Sequence, residues 1–164
     1  MKNVKFRIID IIRGTTVDGP GFRTSIYLAG CNHHCQGCHN PQTWDFNNGT
    51  ETELSEILDI VEEEDFNVTL TGGDPLYNPE TTRILIHELK RNRRNVWVYT
   101  GYTWEEIIAS PLLLSAIQEA DVVVDGKFQE KMKNTDLPFR GSENQRIIDI
   151  QKSLSSNLVV LFQA

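Results

Sequence analysis

Apolar and polar positions first alternate along the chain in the manner of strands. Residues 4–12 are apolar enough for a first strand. In 22–28, Phe22, Ile26 and Leu28 interleave with Arg23, Ser25 and Tyr27, the period of a half-buried strand. Asp18-Gly19-Pro20-Gly21 between them is a turn rich in residues that set unusual φ values. The period then lengthens. Leu54, Ile57, Leu58 and Val61 fall at helical spacing behind a Thr50/Glu53 capping-box pair, which predicts a helix over 51–64.

Val68-Thr69-Leu70-Thr71 predicts a short strand broken by Gly72-Gly73-Asp74-Pro75. Asn78 then caps a helix with Pro79 at its first position, and Lys90, Arg91, Arg93 and Arg94 collect at its end, where cations suit the dipole. Residues 96–100 predict a strand stopped by Gly101, and Thr103 with Glu106 forms a second capping box. The helix after it restarts at Ser110-Pro111, because proline is tolerated only in a first turn. Val122-Val123-Val124 is a further strand ending at Asp125-Gly126, and 126–144 reads as a long loop of the kind that is usually functional. The last strands are expected over 146–150 and 158–162. Apolar strands alternating with helices imply an α/β fold with a mainly parallel sheet covered by helices.

Composition narrows this picture to one domain, 1–164, burying roughly 70% of its unfolded surface. A hydrophobic content of 39% and a charged content of 24% are those of a soluble globular protein, and no apolar run reaches the roughly 20 residues of a membrane span. The start, Met1 to Arg7, lacks the apolar stretch and cleavage site of a signal peptide, so a cytoplasmic location is expected. A net charge of −7 argues against a nucleic-acid surface and for a small molecule or another protein as partner.

The candidate chemistry lies in Cys31-Asn32-His33-His34-Cys35-Gln36-Gly37-Cys38-His39, which holds every cysteine of the chain and follows a predicted strand. Three thiolates at C-x3-C-x2-C spacing can converge on a metal centre, yet are one short of the four that usually hold an iron–sulfur cluster. One iron would then be open to a chelating ligand. A zinc site completed by His33, His34 or His39 is the alternative; zinc sites more often use cysteines in separated pairs. His33 and His34 otherwise read as exposed loop polarity. The cysteines, Gly72-Gly73-Asp74, Thr100-Gly101 and Asp125-Gly126 each follow a strand's carboxyl end, the edge on which parallel α/β folds build their sites.

The cysteine spacing on the loop after a strand resembles that of the radical S-adenosylmethionine enzymes. Gly72-Gly73-Asp74-Pro75 is similar to that family's glycine-rich segment at the end of the next strand, with Asp74 where the family usually has Glu. Asp18-Gly19-Pro20-Gly21-Phe22-Arg23 is similar to the entry of glycyl-radical-enzyme activases. Cys38-His39-Asn40-Pro41, Tyr99-Thr100-Gly101-Tyr102 and Arg140-Gly141-Ser142 with Asn144-Gln145-Arg146 resemble the small anaerobic ribonucleotide reductase activases in particular. The likeness runs along nearly the whole chain.

The resemblance implies a partial (β/α) barrel, a [4Fe–4S] cluster on Cys31, Cys35 and Cys38, and S-adenosylmethionine chelating the fourth iron. Reductive cleavage of that ligand releases a 5′-deoxyadenosyl radical, which takes a hydrogen from a glycine Cα in the large reductase subunit. Gly72, Gly73 and Asp74 would hold the methionyl part, Tyr99, Thr100 and Gly101 would shape the ribose side, and Gly37 and His39 would flank the ligand. Most of the wider family carries an aromatic before the third cysteine to pack on adenine. This chain has Gly37 there, leaving His39 to take over part of that stacking. Asp125 is a further candidate on its strand-end position, and Arg140 and Gln145 are candidates for the mouth of the site or the partner surface. A flavodoxin-like or other low-potential donor would supply the electron. Another glycyl radical enzyme, a small-molecule radical reaction, and a non-catalytic electron-transfer or zinc module are the competing expectations.

Overall fold

The computed structural model describes residues 4–163; Met1, Lys2 and Asn3, which open the stretch read for a signal peptide, lie outside them. Seven strands form the frame: β1 (Lys5–Thr15), β2 (Arg23–Leu28), β3 (Thr50–Glu53), β4 (Asn67–Gly72), β5 (Val96–Tyr99), β6 (Val122–Asp125) and β7 (Arg146–Asp149). They make one sheet in the order β3-β1-β2-β4-β5-β6-β7. The central strands β2, β4, β5 and β6 are parallel, while β1 and β7 pair antiparallel to β2 and β6, and β3 antiparallel to β1. The sheet stays open, so the expected partial barrel is an arc with free edges.

The helices α1 (Leu54–Glu64), α2 (Pro79–Arg91), α3 (Trp104–Ile108), α4 (Pro111–Ile117) and α5 (Ile150–Ser156) bring the side chains of one core. Ile57 and Val61 of α1, Leu85, Ile86 and Leu89 of α2, and Ile107 and Ile117 of α3 and α4 pack on Ile26, Leu70, Val98 and Val123 of the sheet. Strand side chains alternate between faces, so the neighbouring positions point the other way. That face is largely polar on β2 and β4, with Arg23, Ser25, Tyr27, Thr69 and Thr71, and aromatic or apolar on β5 and β6, with Trp97, Tyr99, Val122 and Val124.

Arg23 is buried on this second face and, among the described residues, has no carboxylate partner. Its guanidinium donates to Thr69 Oγ1 at 2.8 Å and the Val68 carbonyl at 2.9 Å and lies 5.5 Å from the Trp97 ring centroid. Burial lowers its pKa to about 10. At this face Ser25 and Tyr27 also donate to Asp18 Oδ2, at 3.1 and 3.2 Å. Burial and that carboxylate raise the Tyr27 hydroxyl to about 12.

Four local expectations change. Thr50 and Glu53 make no capping box: 50–53 is strand β3, paired with β1 from Lys5↔Glu53 to Ile8↔Thr50, and α1 begins at Leu54 behind a Glu53 that makes no side-chain capping bond. Asn78 precedes α2 without a side-chain capping bond. The strand expected over 146–150 ends at Asp149, whose side chain caps α5, and 158–162 contributes only the bridge Ile148↔Leu161. By contrast, the Thr103/Glu106 capping box and the Ser110 cap on α4 both form.

Candidate active site

The parallel pairing of β2, β4, β5 and β6 brings their carboxyl ends to one edge, and the loops leaving them enclose a cleft of about 200 Å³ that is open to solvent. Cys31, Cys35, Cys38 and His39 line it from the β2 loop. Gly72, Gly73 and Asp74 do so from the β4 loop, and Tyr99, Thr100 and Gly101 from the β5 loop. Gly126, Lys127 and Phe128 after β6, with Gly141 and Gln145, form the remaining wall. Of the residues expected in the site, Gly37 and Asp125 stand outside this lining.

All three cysteines are free; Cys31 is buried, and Cys35 and Cys38 are half-buried. Among the described residues, no three His, Cys, Asp or Glu side chains are gathered as a single metal ion requires; the three cysteines all line the cleft. Burial pushes the Cys31 and Cys35 thiols above their ordinary value, while backbone N–H groups directed at the sulfurs, from His33 and His34 and from Phe128, act against the shift. The Asn40 N–H donates to Cys38 Sγ at 3.4 Å. N–H donors aimed at sulfur are what a thiolate-bound iron cluster uses to tune its potential. The donor set fits such a cluster: three thiols on one wall, no fourth cysteine in the chain, and open space beside them.

The glycines of the β4 loop are required by the protein's own packing. Gly72 has φ +113°, and a Cβ there would collide with the Leu28 backbone and lie 2.8 Å from the Tyr27 carbonyl carbon. A Cβ at Gly73 would press on the Gly30 and Thr43 carbonyls. Their N–H groups are partly spoken for, since Gly73 N–H donates to Leu28 O at 2.9 Å and Asp74 N–H to Gly30 O at 2.8 Å. The cysteine loop is thus laced onto β4.

Asp74 is buried and both of its oxygens are engaged. Oδ1 accepts from Leu76 N–H at 2.8 Å; Oδ2 accepts from Thr100 Oγ1 and Gly101 N–H, each at 3.0 Å, and faces His33 Nε2 at 2.6 Å. His33, read from the sequence as exposed polarity, is 9% exposed at its side chain and belongs to this site. Its signal was three-dimensional, since the partner lies 41 residues away. His34 is exposed and stacks on Trp44 at 4.5 Å, and His39 lies against Phe128 at 5.4 Å.

Asp125 is buried and equally occupied. Oδ2 accepts from Trp104 N–H at 2.7 Å and Arg146 Nη2 at 2.6 Å, while Oδ1 accepts from the Arg146 N–H and Nε. It fixes the start of α3 and the β6–β7 pairing rather than facing the cleft. Gln145 holds the far wall: its Nε2 donates to Gly126 O at 3.0 Å, and its Oε1 accepts from the Gly141 and Ser142 N–H groups. Arg140 closes that turn by donating to the Gln145 and Glu143 carbonyls. Tyr99 donates to Phe139 O at 2.5 Å, and burial drives its hydroxyl far above the ordinary range.

Comparison with known proteins adds three findings. The family model described as "4Fe-4S single cluster domain" matches residues 17–148. The anaerobic ribonucleoside-triphosphate reductase-activating protein of Pasteurella multocida is 35% identical over 80% of this chain and 89% of its own length. The proteins of that name from enterobacteria phage T4 and Escherichia coli are each 34% identical, over 80% and 79% of this chain and 86% and 89% of their own lengths. Among solved structures, QueE from Escherichia coli superposes with a TM-score of 0.54 at 16% identity, covering 74% of this chain and 70% of that one, a likeness of fold.

Proposed function

Because the chain belongs to the anaerobic ribonucleoside-triphosphate reductase-activating proteins, we propose that Cys31, Cys35 and Cys38 hold its [4Fe–4S] cluster and that S-adenosylmethionine binds beside it in the cleft. The observation that carries this reading is the shared cleft itself: three free thiols on one wall, and the loops after β4 and β5 facing them. When bound, the reduced cluster and S-adenosylmethionine supply the 5′-deoxyadenosyl radical that removes a hydrogen atom from a glycine Cα of the large reductase subunit.

What the chain's own residues contribute is position and shelter. Gly72 and Gly73 bring the β4 backbone against the methionyl part, and Tyr99, Thr100 and Gly101 bound the ribose side. His39, with Phe128 against it, offers a flat surface at the cysteine end for the adenine, next to Gly37. Asp74 and Asp125 act through the loops they tie, since their oxygens already accept from protein donors. No proton-transfer residue is called for, because homolysis generates the reactive species.

The electron is assigned to a flavodoxin-like or other low-potential donor. The acidic net charge of −7 supports a protein partner over nucleic acid, and among the described residues no helix is long and apolar enough to cross a membrane. We assign the protein to the cytoplasm, where thiols remain reduced.

The test is anaerobic reconstitution, reduction and incubation with S-adenosylmethionine and the large subunit of an anaerobic ribonucleotide reductase. A glycyl-radical doublet in the electron paramagnetic resonance spectrum, with 5′-deoxyadenosine and methionine, is the expected result. Absence of both products with a full complement of iron would refute the reading. If 126–145 forms the partner-facing wall, Arg140→Ala and Gln145→Ala should each lower the yield of glycyl radical by about tenfold or more, the worth of one or two lost polar contacts. Iron content should hold in both. Undiminished radical yield would remove that wall from partner recognition.

A further inference from the structure

On the reading of the cleft as the S-adenosylmethionine site, we infer that His33 is a positioning residue: through Asp74 it sets the register of the cysteine loop against the loops that receive the ligand. His33 stands midway between Cys31 and Cys35, so holding its side chain restrains the backbone that carries both thiols. Its ring is held on three sides. Nε2 meets Asp74 Oδ2 at 2.6 Å; the carboxylate is acceptor-only, so Nε2 carries the hydrogen. The ring stands edge-on to Tyr102 at 4.7 Å, and a Cβ on Gly101 would come within 2.5 Å of its Cδ2.

Asp74 is the joint. The oxygen that faces His33 also accepts the Thr100 hydroxyl and the Gly101 N–H from the β5 loop, while Oδ1 and the Asp74 N–H secure the β4 loop to itself and to Gly30. Three loops therefore meet on one carboxylate. Stability alone gives little reason for such an arrangement, since replacing both partners of a buried hydrogen bond by apolar groups of the same shape can be nearly neutral. What an apolar substitute cannot do is fix direction, and direction matters where two walls of one cleft must face the same ligand. Gly101, Thr100 and Asp74 line the cleft together with Cys31 and Cys35.

His33→Phe keeps the ring and its packing on Tyr102 but removes the donor, and His33→Gln returns an N–H near the Nε2 position. Both are reconstituted alongside the parent protein. S-adenosylmethionine binding to the unreduced cluster form is then measured by calorimetry, and the change it causes in the reduced cluster's paramagnetic resonance spectrum is followed by titration. With iron and sulfide content equal, His33→Phe should weaken binding by on the order of tenfold, the value of a hydrogen bond to a charged group. The spectral change should need correspondingly more ligand, and His33→Gln should recover most of the loss. Parental binding by His33→Phe would overturn the inference, as would equal impairment of His33→Gln. A His33→Phe protein that cannot hold iron would overturn it too, because His33 would then assemble the loop rather than register it. If the parent protein itself binds no S-adenosylmethionine, the reading of the cleft fails instead.

Discussion

Replacing Cys35 by alanine is expected to abolish S-adenosylmethionine cleavage and to leave the protein with little iron. The chain has three cysteines, all on one cleft wall, and no fourth to substitute. Losing one leaves two thiols where a cluster of this type needs at least three. The fold should survive, because Cys35 is half-buried on a loop and contributes nothing to the core between sheet and helices. Unfolding of the metal-free variant should therefore match the parent within about 1 kcal/mol. Iron per chain, measured after identical reconstitution, should drop steeply, and 5′-deoxyadenosine should fall to the background of a reaction without protein. A variant with full iron and full cleavage would show that Cys35 is not a ligand.

Gly72→Ala should be the most costly single methyl group in the site. The position pairs with Leu28 at the ends of the parallel strands β4 and β2, its φ is +113°, and the added carbon would collide with Leu28 backbone atoms that cannot swing aside. Left-handed strain of about 1–3 kcal/mol adds to overpacking of about 1–3 kcal/mol. Denaturant unfolding of the metal-free protein should register a loss of about 2–6 kcal/mol. Gly21→Ala is the control: its φ is +73°, but no atom lies within 4 Å of the added carbon, so only the backbone term remains. Equal stabilities for the two variants would mean that the closeness of β4 to β2 is not what fixes a glycine at 72.

The contrast between these positions shows where the sequence was legible. Thr103 and Glu106 form their capping box because both partners lie within one turn and nothing distant competes. The same pattern at Thr50 and Glu53 gives a strand instead, because Lys5 to Ile8 present an unpaired edge about 45 residues away and claim the segment's backbone groups. Residues 158–162 have the apolar pattern of a strand but meet β7 in a single bridge at Leu161, made by the Val160 carbonyl and the Phe162 N–H, with Leu158 and Leu161 left exposed. Strand formation is decided by the neighbour as much as by the segment.

The site divides along the same line. That four loops meet at one edge followed from alternation of strand and helix together with the placement of Cys31, Gly72, Thr100 and Asp125 at strand ends. What each polar side chain does there was not legible. Asp74 read as a holder of the methionyl part and Asp125 as a site candidate, yet each spends both oxygens on protein donors. His33 read as exposed because a histidine on a loop gives no sign of a carboxylate 41 residues away.

Mössbauer spectroscopy of the reconstituted protein, with and without S-adenosylmethionine, is the most direct test of an incompletely protein-ligated cluster on Cys31, Cys35 and Cys38. Adding the ligand should alter the signal of a single iron of each cluster and leave the others unchanged. A spectrum that the ligand does not move, from a cluster whose irons are all alike, would contradict it.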